Sequence, residues 1–270
     1  MTKSIDILLP YWGDLELAKK TVNSILNQSN PNWRLLIFDD CYPSDEPQKY
    51  FNSIADQRVS YYRHSKNIGI TKNFNYAIEH AKANYCMLVG CDDILLPNYV
   101  DEALRHIGDT DFFQPGVEVI DANDRVYLPL VDKVKRLLMP KKIGVYKGEK
   151  LAISLCHGNW LYFPSITWKT ATLQKYGFDD TYKIAEDLLV ELSIIADNGS
   201  LSFSKTPAFQ YRRFAHSLSS TEKKRGGVRF NEEAMVYKRL SQMFKQRGWR
   251  KASFAAKLRI TSRIHATVSK

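Results

Sequence analysis

The 270-residue chain has no apolar run near the ~20 residues that a membrane-spanning helix needs. Its start places Asp6 where the apolar core of a secretion signal would lie, so we expect no signal peptide. The four cysteines form no C-x-x-C pair, which is typical of reduced thiols in the cytoplasm. Repeats and low-complexity segments are also absent. With 44% hydrophobic and 25% charged residues, the chain is predicted to form an ordinary globular protein.

Charge is distributed unevenly along the chain. Residues 222–270 contain 14 Lys/Arg against 3 Glu, a net charge of +11. The rest contains 25 Lys/Arg against 26 Asp/Glu, a net charge of −1. A basic C-terminal part suits nucleic acid, an anionic membrane surface or an acidic partner, and a solvated helical surface explains it equally well.

The first half alternates short apolar strands with amphipathic helices. Strands are predicted over residues 5–9, 33–38, 59–63 and 86–89, and helices follow the first, third and fourth of them. This order predicts an α/β fold, with a mostly parallel central sheet and helices on both faces.

The second half is less regular. Helices are predicted over residues 170–176 and 186–197, and residues 133–142 are predicted to form a basic loop. From Asn231 onward we expect helices, the first with an apolar stripe from Phe230 to Phe244 that could serve as an oligomer interface.

Polar residues follow three of the predicted strands, as Pro10-Tyr11, Asp39-Asp40 and Asp92-Asp93. In parallel sheets ligands bind outside the carboxyl ends of the strands, so we expect these groups to share one crevice. Adjacent carboxylates suit Mg²⁺ or Mn²⁺ together with the phosphates of a nucleotide. Taken alone, each aspartate pair is explained equally well by a strand-end turn.

Two further segments carry candidate groups. Asn67 and Lys72 flank a loop-to-helix junction at Gly69, where a helix N-terminus favours a phosphate. Glu186 and Asp187 open an apolar helix, where a carboxylate can act as a general base or simply complement the helix dipole.

In this order, the segments resemble a family 2 glycosyltransferase with the GT-A fold. The resemblance covers about residues 4–220 and rests on the following segments: Leu8-Leu9-Pro10-Tyr11-Trp12, Ile37-Phe38-Asp39-Asp40, Asn67-Ile68-Gly69 with Lys72-Asn73, Gly90-Cys91-Asp92-Asp93, Glu186-Asp187-Leu188, and Tyr211-Arg212-Arg213 with Ser217-Leu218-Ser219.

The resemblance implies a role for each matching position in the donor site. Tyr11 and Asp39 would contact the nucleobase, Asp92 the ribose, and Asp93 a divalent metal, Mn²⁺ or Mg²⁺. Pro10, Asp40, Asn67 and Lys72 would complete the nucleotide-sugar site. The family often carries a histidine at the position of Phe214, and His216 is the candidate to replace it as a metal ligand.

The resemblance also implies the chemistry and the acceptor side. Asp187 would deprotonate the acceptor hydroxyl in an inverting direct displacement, with Glu186 beside it. Trp160 and Tyr162 would stack on an acceptor sugar, although packing against the sheet explains these rings equally well. The implied domains are residues 1–220, with a nucleotide-binding half (1–115) and an acceptor-side half (116–220), and a basic helical extension (221–270).

The predicted function is therefore transfer of a sugar from a nucleotide-sugar donor to a glycan or lipid-linked glycan, in surface polysaccharide synthesis. UDP is the carrier most typical of the family, with dTDP second. The expected location is cytoplasmic, at the inner face of the membrane. Two alternatives are a sugar-1-phosphate nucleotidyltransferase and a non-enzymatic basic binding protein. The segment after the first strand has a single glycine and no basic residue, which disfavours the nucleotidyltransferase. The chain outside its basic C-terminal part is nearly neutral, which disfavours a protein that binds nucleic acid.

Overall fold

A computed structural model describes residues 3–182, 185–213 and 228–259, with the side chains of the last segment described from residue 231. The strands of this described part are β1 (Ile5–Tyr11), β2 (Trp33–Asp39), β3 (Val59–Arg63), β4 (Tyr85–Leu88), β5 (Ile94–Leu95), β6 (Phe112–Ile120), β7 (Gly144–Lys147), β8 (Thr167–Lys169) and β9 (Ser200–Arg212). The α-helices are α1 (Leu15–Leu26), α2 (Glu46–Asn52), α3 (Ile70–His80), α4 (Tyr99–His106), α5 (Leu130–Leu138), α6 (Gly148–His157), α7 (Thr170–Tyr176), α8 (Glu186–Ala196), α9 (Val228–Gln246) and α10 (Arg250–Leu258).

The strands form one mixed sheet in the order β3-β2-β1-β4-β8-β6-β9-β5, and β7 pairs with β9. The first four strands are parallel, and β6 pairs in parallel with β9. Strands β5, β7 and β8 run antiparallel to their neighbours. The predicted fold class, a mostly parallel α/β sheet, is confirmed.

Both faces of the sheet are buried. Along β1, Ile7 and Leu9 belong to one apolar cluster together with α1, whereas Leu8 belongs to a second cluster together with α3 and α8. Successive side chains of a strand point to opposite faces, so a continuous apolar run is stable only when helices cover both sides. This explains why the run that opens the chain folds as a central strand.

Residues 133–142 do not form the predicted loop. Most of this segment belongs to α5, and the sequence pattern was misleading because the helix buries the charged residue Asp132 and exposes leucines. Asp132 is fully buried, whereas Leu130 and Leu137 are exposed. An apolar stripe normally marks the buried face of a helix, and here it marks the outer face.

The C-terminal helices are part of the same core as the sheet. Val236, Tyr237, Leu240 and Phe244 of α9 are buried in the cluster that contains α6 and α8. Most of the predicted stripe is therefore buried within the chain, and these side chains are not accessible for the expected oligomer interface. Across the ranges that the structure describes, none of the helices has both the length and the apolar content that crossing a bilayer requires.

Candidate functional site

The ends of β1 and β2 form the first wall of the site. Tyr11 and Asp39 are register partners, and the backbone N–H of Asp40 donates to the Tyr11 carbonyl at 3.1 Å. The Asp39 carboxylate is buried, and it accepts the backbone N–H of Tyr42 at 2.7 Å and the hydroxyl of Tyr61 at 2.5 Å. The prediction places both residues against a nucleobase, and the structure places them side by side at this edge.

Asp40 organises the loop before α3. Its two carboxylate oxygens accept the backbone N–H groups of Ile68 at 2.7 Å and Gly69 at 2.9 Å. Gly69 has a φ of +86°, a conformation that glycine adopts without the strain of a side chain. Asn67 and Lys72 are exposed on either side of this junction. The loop is thus held from the strand end, while the two side chains predicted to contact phosphate stay accessible.

Asp92 and Asp93 converge on the space that Gly90 leaves open. A Cβ atom at Gly90 would lie 2.6 Å from Oδ2 of Asp93 and 3.0 Å from Oδ1 of Asp92. The Thr21 hydroxyl of α1 holds the loop by donating to the Asp93 carbonyl at 2.7 Å. The carboxylates are therefore close together because the third residue before Asp93 has no side chain.

Arg212, at the end of β9, closes this pair from the other half of the chain. Its backbone N–H donates to Oδ1 of Asp93 at 2.9 Å, and its Nε donates to the Asp92 carbonyl at 2.7 Å. Its Nη1 lies 2.5 Å from Oδ1 of Asp124. Nη2 is buried and has no hydrogen-bond partner among the residues that the structure describes, so within this part of the chain the guanidinium keeps one nitrogen unused as a donor.

Burial raises the pKa values of both carboxyl groups. For Asp93 the burial is reinforced by the neighbouring charge of Asp92 and opposed by the backbone N–H and charge of Arg212. For Asp92 the charge of Arg212 opposes the effect of burial. Asp93 is buried and Asp92 half-buried. Two such convergent carboxylates repel each other when both are ionised, and a divalent cation relieves that repulsion.

The residues present fit a divalent cation that is completed by phosphate oxygens. In the described part of the chain, no three His, Cys, Asp or Glu side chains converge on a ready-made metal site. Mg²⁺ is commonly bound through one or two carboxylates plus substrate phosphates, and the Gly90 space brings two carboxylate oxygens together. His216 and Phe214 lie outside the described residues.

Glu186 and Asp187 open α8, and Glu186 contacts the start of α3. The Thr71 hydroxyl donates to Oε2 of Glu186 at 2.9 Å, which joins the two helix ends. Burial raises the pKa of Glu186 to about 7, the Thr71 hydrogen bond opposes the shift, and the nearby charge of Asp187 adds to it. Asp187 is half-buried and accepts the backbone N–H of Leu188 at 2.7 Å.

We expect Glu186→Gln to change how stability depends on pH. Folded protein holds the Glu186 proton more tightly than the unfolded chain, so the wild type loses stability as pH rises from 4.5 towards about 7. Relative to wild type, the glutamine variant should gain up to about 3 kcal/mol across that window. Urea unfolding at several pH values measures this, with Glu79→Gln on the exposed face of α3 as the matched control. A stability difference that stays constant with pH would contradict the assignment.

Trp160 and Tyr162, the predicted acceptor-stacking residues, are buried. Trp160 is 0% exposed and its ring N–H donates to the Ser154 hydroxyl at 3.1 Å. Tyr162 is 3% exposed and its hydroxyl donates to Oδ1 of Asp132 at 2.6 Å. Neither ring presents a face to solvent, so both rings lie as the alternative of packing against the sheet expects. Their role in binding the acceptor stays a prediction, and neither ring has an exposed surface for stacking.

A polar cluster that the sequence analysis did not assign lies beside Tyr162. Arg213 donates from Nε and Nη2 to the two oxygens of Asp132, at 2.6 and 2.9 Å. Lys135, one turn further along α5, donates to the Leu161 carbonyl at 2.6 Å. Burial and the charge of Arg213 lower the pKa of Lys135 to about 8, against the opposing charge of Asp132 and, more weakly, Asp187.

This cluster connects the end of β9 to α5 and to the carbonyl of Leu161. The signal for it in the sequence is the pair Arg212-Arg213 at a strand end, because two adjacent arginines in a neutral body need carboxylate or carbonyl partners. The local sequence does not identify Asp132 and Lys135 as neighbours of these arginines, because both residues belong to α5, a helix whose outer face is apolar.

Comparison with known proteins bears on the family and the fold. A family model described as "Glycosyl transferase family 2" matches residues 6–170. A candidate colanic acid biosynthesis glycosyl transferase, WcaA of Escherichia coli (strain K12), is 33% identical over 103 residues, 38% of this chain. The match spans 37% of the length of WcaA. WfgD of Escherichia coli, named as a UDP-Glc:alpha-D-GlcNAc-diphosphoundecaprenol beta-1,3-glucosyltransferase, is 22% identical over 196 residues, 72% of this chain and 70% of WfgD.

Solved structures share the architecture. Residues 1–349 of TarS from S. aureus, in complex with UDP-GlcNAc, superpose with a TM-score of 0.67 at 16% identity, over 98% of this chain and 79% of that fragment. The mannosyltransferase PcManGT from Pyrobaculum calidifontis, in complex with GDP-Man and Mn²⁺, gives a TM-score of 0.67 at 12% identity, over 98% of this chain and 73% of PcManGT. At such identities the likeness shows the fold, and it confirms the predicted GT-A architecture.

Proposed function

Because the chain belongs to glycosyl transferase family 2, we propose that it transfers a hexosyl group from a nucleotide sugar to a hydroxyl of a glycan or lipid-linked glycan. The observation that best supports this is the convergence of Asp92 and Asp93 on the Gly90 space, beside Arg212. These groups come from two halves of the chain and meet at the same sheet edge as Tyr11 and Asp39. Surface polysaccharide synthesis is the proposed setting, since the name of WcaA assigns that relative to colanic acid biosynthesis, and the proposed location is the cytoplasmic side of the membrane.

The donor is proposed to be a UDP-sugar, with a dTDP-sugar second. The name of WfgD includes UDP-Glc and TarS was solved with UDP-GlcNAc, whereas PcManGT was solved with GDP-Man. Tyr11 and Asp39 would hold the base, and Asp92 the ribose. The exposed Lys72 and the N-terminus of α3 would face the diphosphate, because a helix N-terminus offers unpaired N–H groups.

Asp93 would hold Mn²⁺ or Mg²⁺, beside Asp92 at the ribose. When bound, such a cation neutralises charge that develops on the departing nucleoside diphosphate. The unused Nη2 of Arg212 would add a fixed donor on the same side. Charge-assisted donors of this kind act most strongly where water is excluded, and Arg212 is only 3% exposed.

Asp187 would remove the proton from the acceptor hydroxyl, and attack from that side would invert the sugar's anomeric centre. Glu186 would orient the acceptor from the adjacent position, supported by the Thr71 hydroxyl. One positioned base suffices for a single displacement, and no covalent enzyme intermediate is required.

A donor panel tests the proposed function. Purified protein is incubated with UDP-, dTDP- and GDP-sugars, with Mn²⁺ or Mg²⁺ or with a chelator, and released nucleoside diphosphate is measured. We expect release with one carrier, dependent on the divalent cation, and an inverted linkage in the product. Pyrophosphate release from a nucleoside triphosphate and a sugar 1-phosphate would instead support the nucleotidyltransferase alternative. No turnover with any donor and acceptor would overturn the proposal.

A further inference from the structure

Helix α5 has the opposite polarity from an ordinary surface helix. Its inner side carries Asp132, fully buried against Arg213, and Lys135, which donates to the Leu161 carbonyl. Its outer side carries Leu130, Val134 and Leu137, whose exposed fractions are 77%, 42% and 83%. Spacings of four and three residues place these three side chains in one stripe on the helix surface. The helix thus presents its apolar stripe to the outside.

The segments on either side of α5 extend this exposure. Val126 and Tyr127 before the helix are 57% and 38% exposed, and Ile143 and Val145 after it are 56% and 60% exposed. Single exposed apolar residues are ordinary on protein surfaces, but seven within twenty residues, three of them in one helical stripe, are typical of an interaction surface.

The charges around the stripe are of one sign. Lys133 and Arg136 are exposed on α5, and Lys141 and Lys142 are exposed directly after it. Between residues 126 and 145 the one acidic residue is Asp132, which is buried in its ion pair with Arg213. The exposed charge of this surface is therefore purely positive, which is complementary to anionic lipid headgroups.

We propose that this docking face, defined by Leu130, Val134 and Leu137 with Lys133 and Arg136, binds the surface of an anionic lipid bilayer. An amphipathic helix of this composition lies in the plane of the interface, with its apolar side chains between headgroups and acyl chains. The lysine and arginine side chains extend to the headgroup level along the edge of the stripe.

The docking face is connected to the candidate site through α5 and the end of β9. Asp132, on the inner side of α5, pairs with Arg213, and the adjacent Arg212 contacts Asp92 and Asp93. Docking through α5 therefore holds this side of the site against the lipid surface. Only this consequence, access to a lipid-linked acceptor, rests on the proposed function. Binding to lipid itself does not.

Vesicle co-sedimentation of the full chain tests the proposal. Vesicles of phosphatidylcholine alone and of phosphatidylcholine with phosphatidylglycerol are compared. We expect binding to the anionic vesicles, weakened at least about tenfold by the triple variant L130S/V134S/L137S and by the charge reversal K133E/R136E. Two matched controls lie on α10, Phe254→Ser for exposed apolar surface and R250E/K251E for exposed positive charge, and both should bind like wild type.

The outcomes separate the alternatives. Wild-type binding by both α5 variants, or loss of binding only in R250E/K251E, would overturn the proposal in favour of the basic C-terminal part. No vesicle binding by wild type, with concentration-dependent dimers that L130S/V134S/L137S abolishes, would assign the face to a second copy of the chain. Transfer to a water-soluble acceptor should be unchanged in the triple serine variant, so a failed donor panel and failed lipid binding are distinguishable.

Discussion

Asp93→Asn should lower sugar transfer by at least about 10³-fold, because stabilising charge on a departing diphosphate contributes several kcal/mol to catalysis. Asparagine keeps the size of the side chain and an oxygen that can accept the backbone N–H of Arg212, as Asp93 does at 2.9 Å. The loss of activity would therefore come from the removed charge rather than from a collapsed loop.

The same substitution should leave the protein as stable as wild type, or more stable. Burial and the adjacent Asp92 raise the pKa of Asp93, which means that ionising this group costs folding free energy near neutral pH. Removing the ionisable group removes that cost. Opposite changes in activity and stability are the behaviour expected of a residue that is kept for function at the expense of stability.

Activity at saturating donor and thermal unfolding of the same preparation measure the two effects. Asp124→Asn is the matched control, because Asp124 also contacts Arg212 but is 43% exposed and lies outside the Gly90 space. We expect this control to keep activity within about threefold, since the asparagine oxygen can still accept from Nη1 of Arg212 and the side chain is partly exposed. Full activity of Asp93→Asn would remove Asp93 from the proposed metal site.

The predictable parts of the fold are those that local pattern determines. The run that contains Leu8 folds as a strand because it is apolar on both faces, and α7 (Thr170–Tyr176) ends at Gly177 as predicted. Carboxylates at strand ends were predictable for the same reason, since the topology of a parallel sheet brings strand ends to one edge.

The parts that the sequence analysis missed depend on contacts between distant segments. Arg212 reaches Asp93 from 119 positions along the chain, and Arg213 reaches Asp132 from 81. No periodicity encodes such a pairing. The inverted helix α5 shows the same limit more sharply, because an apolar stripe in the sequence does not say whether protein, another molecule or solvent covers it.

The acceptor side is where sequence and structure differ most. Trp160 and Tyr162 were candidates for stacking on a sugar, and both lie in the core. Beside Tyr162 the structure places the ion pair of Arg213 with Asp132 and the nearby Lys135, to which the sequence analysis assigned no role.

Asp187→Asn should lower kcat by about 10²-fold to 10⁴-fold, the usual contribution of a general base, with little change in the KM for the donor. The substitution preserves an oxygen that can accept the Leu188 N–H, as Asp187 does at 2.7 Å, so the first turn of α8 should stay intact. Steady-state kinetics with acceptor at saturation measure the effect.

Asp197→Asn, at the other end of the same helix, controls for loss of a carboxylate from α8. Asp197 is bonded to the Tyr176 hydroxyl at 2.6 Å, on the far side from Thr71 and Glu186, and should keep wild-type kcat. If Asp187 acts on the acceptor hydroxyl, Asp187→Asn should reduce sugar transfer to the acceptor more than it reduces hydrolysis of the donor by water, measured without acceptor. If Asp187→Asn instead raised the donor KM and left kcat unchanged, Asp187 would belong to donor binding, and the proton would have to leave through Glu186, whose pKa of about 7 suits that task.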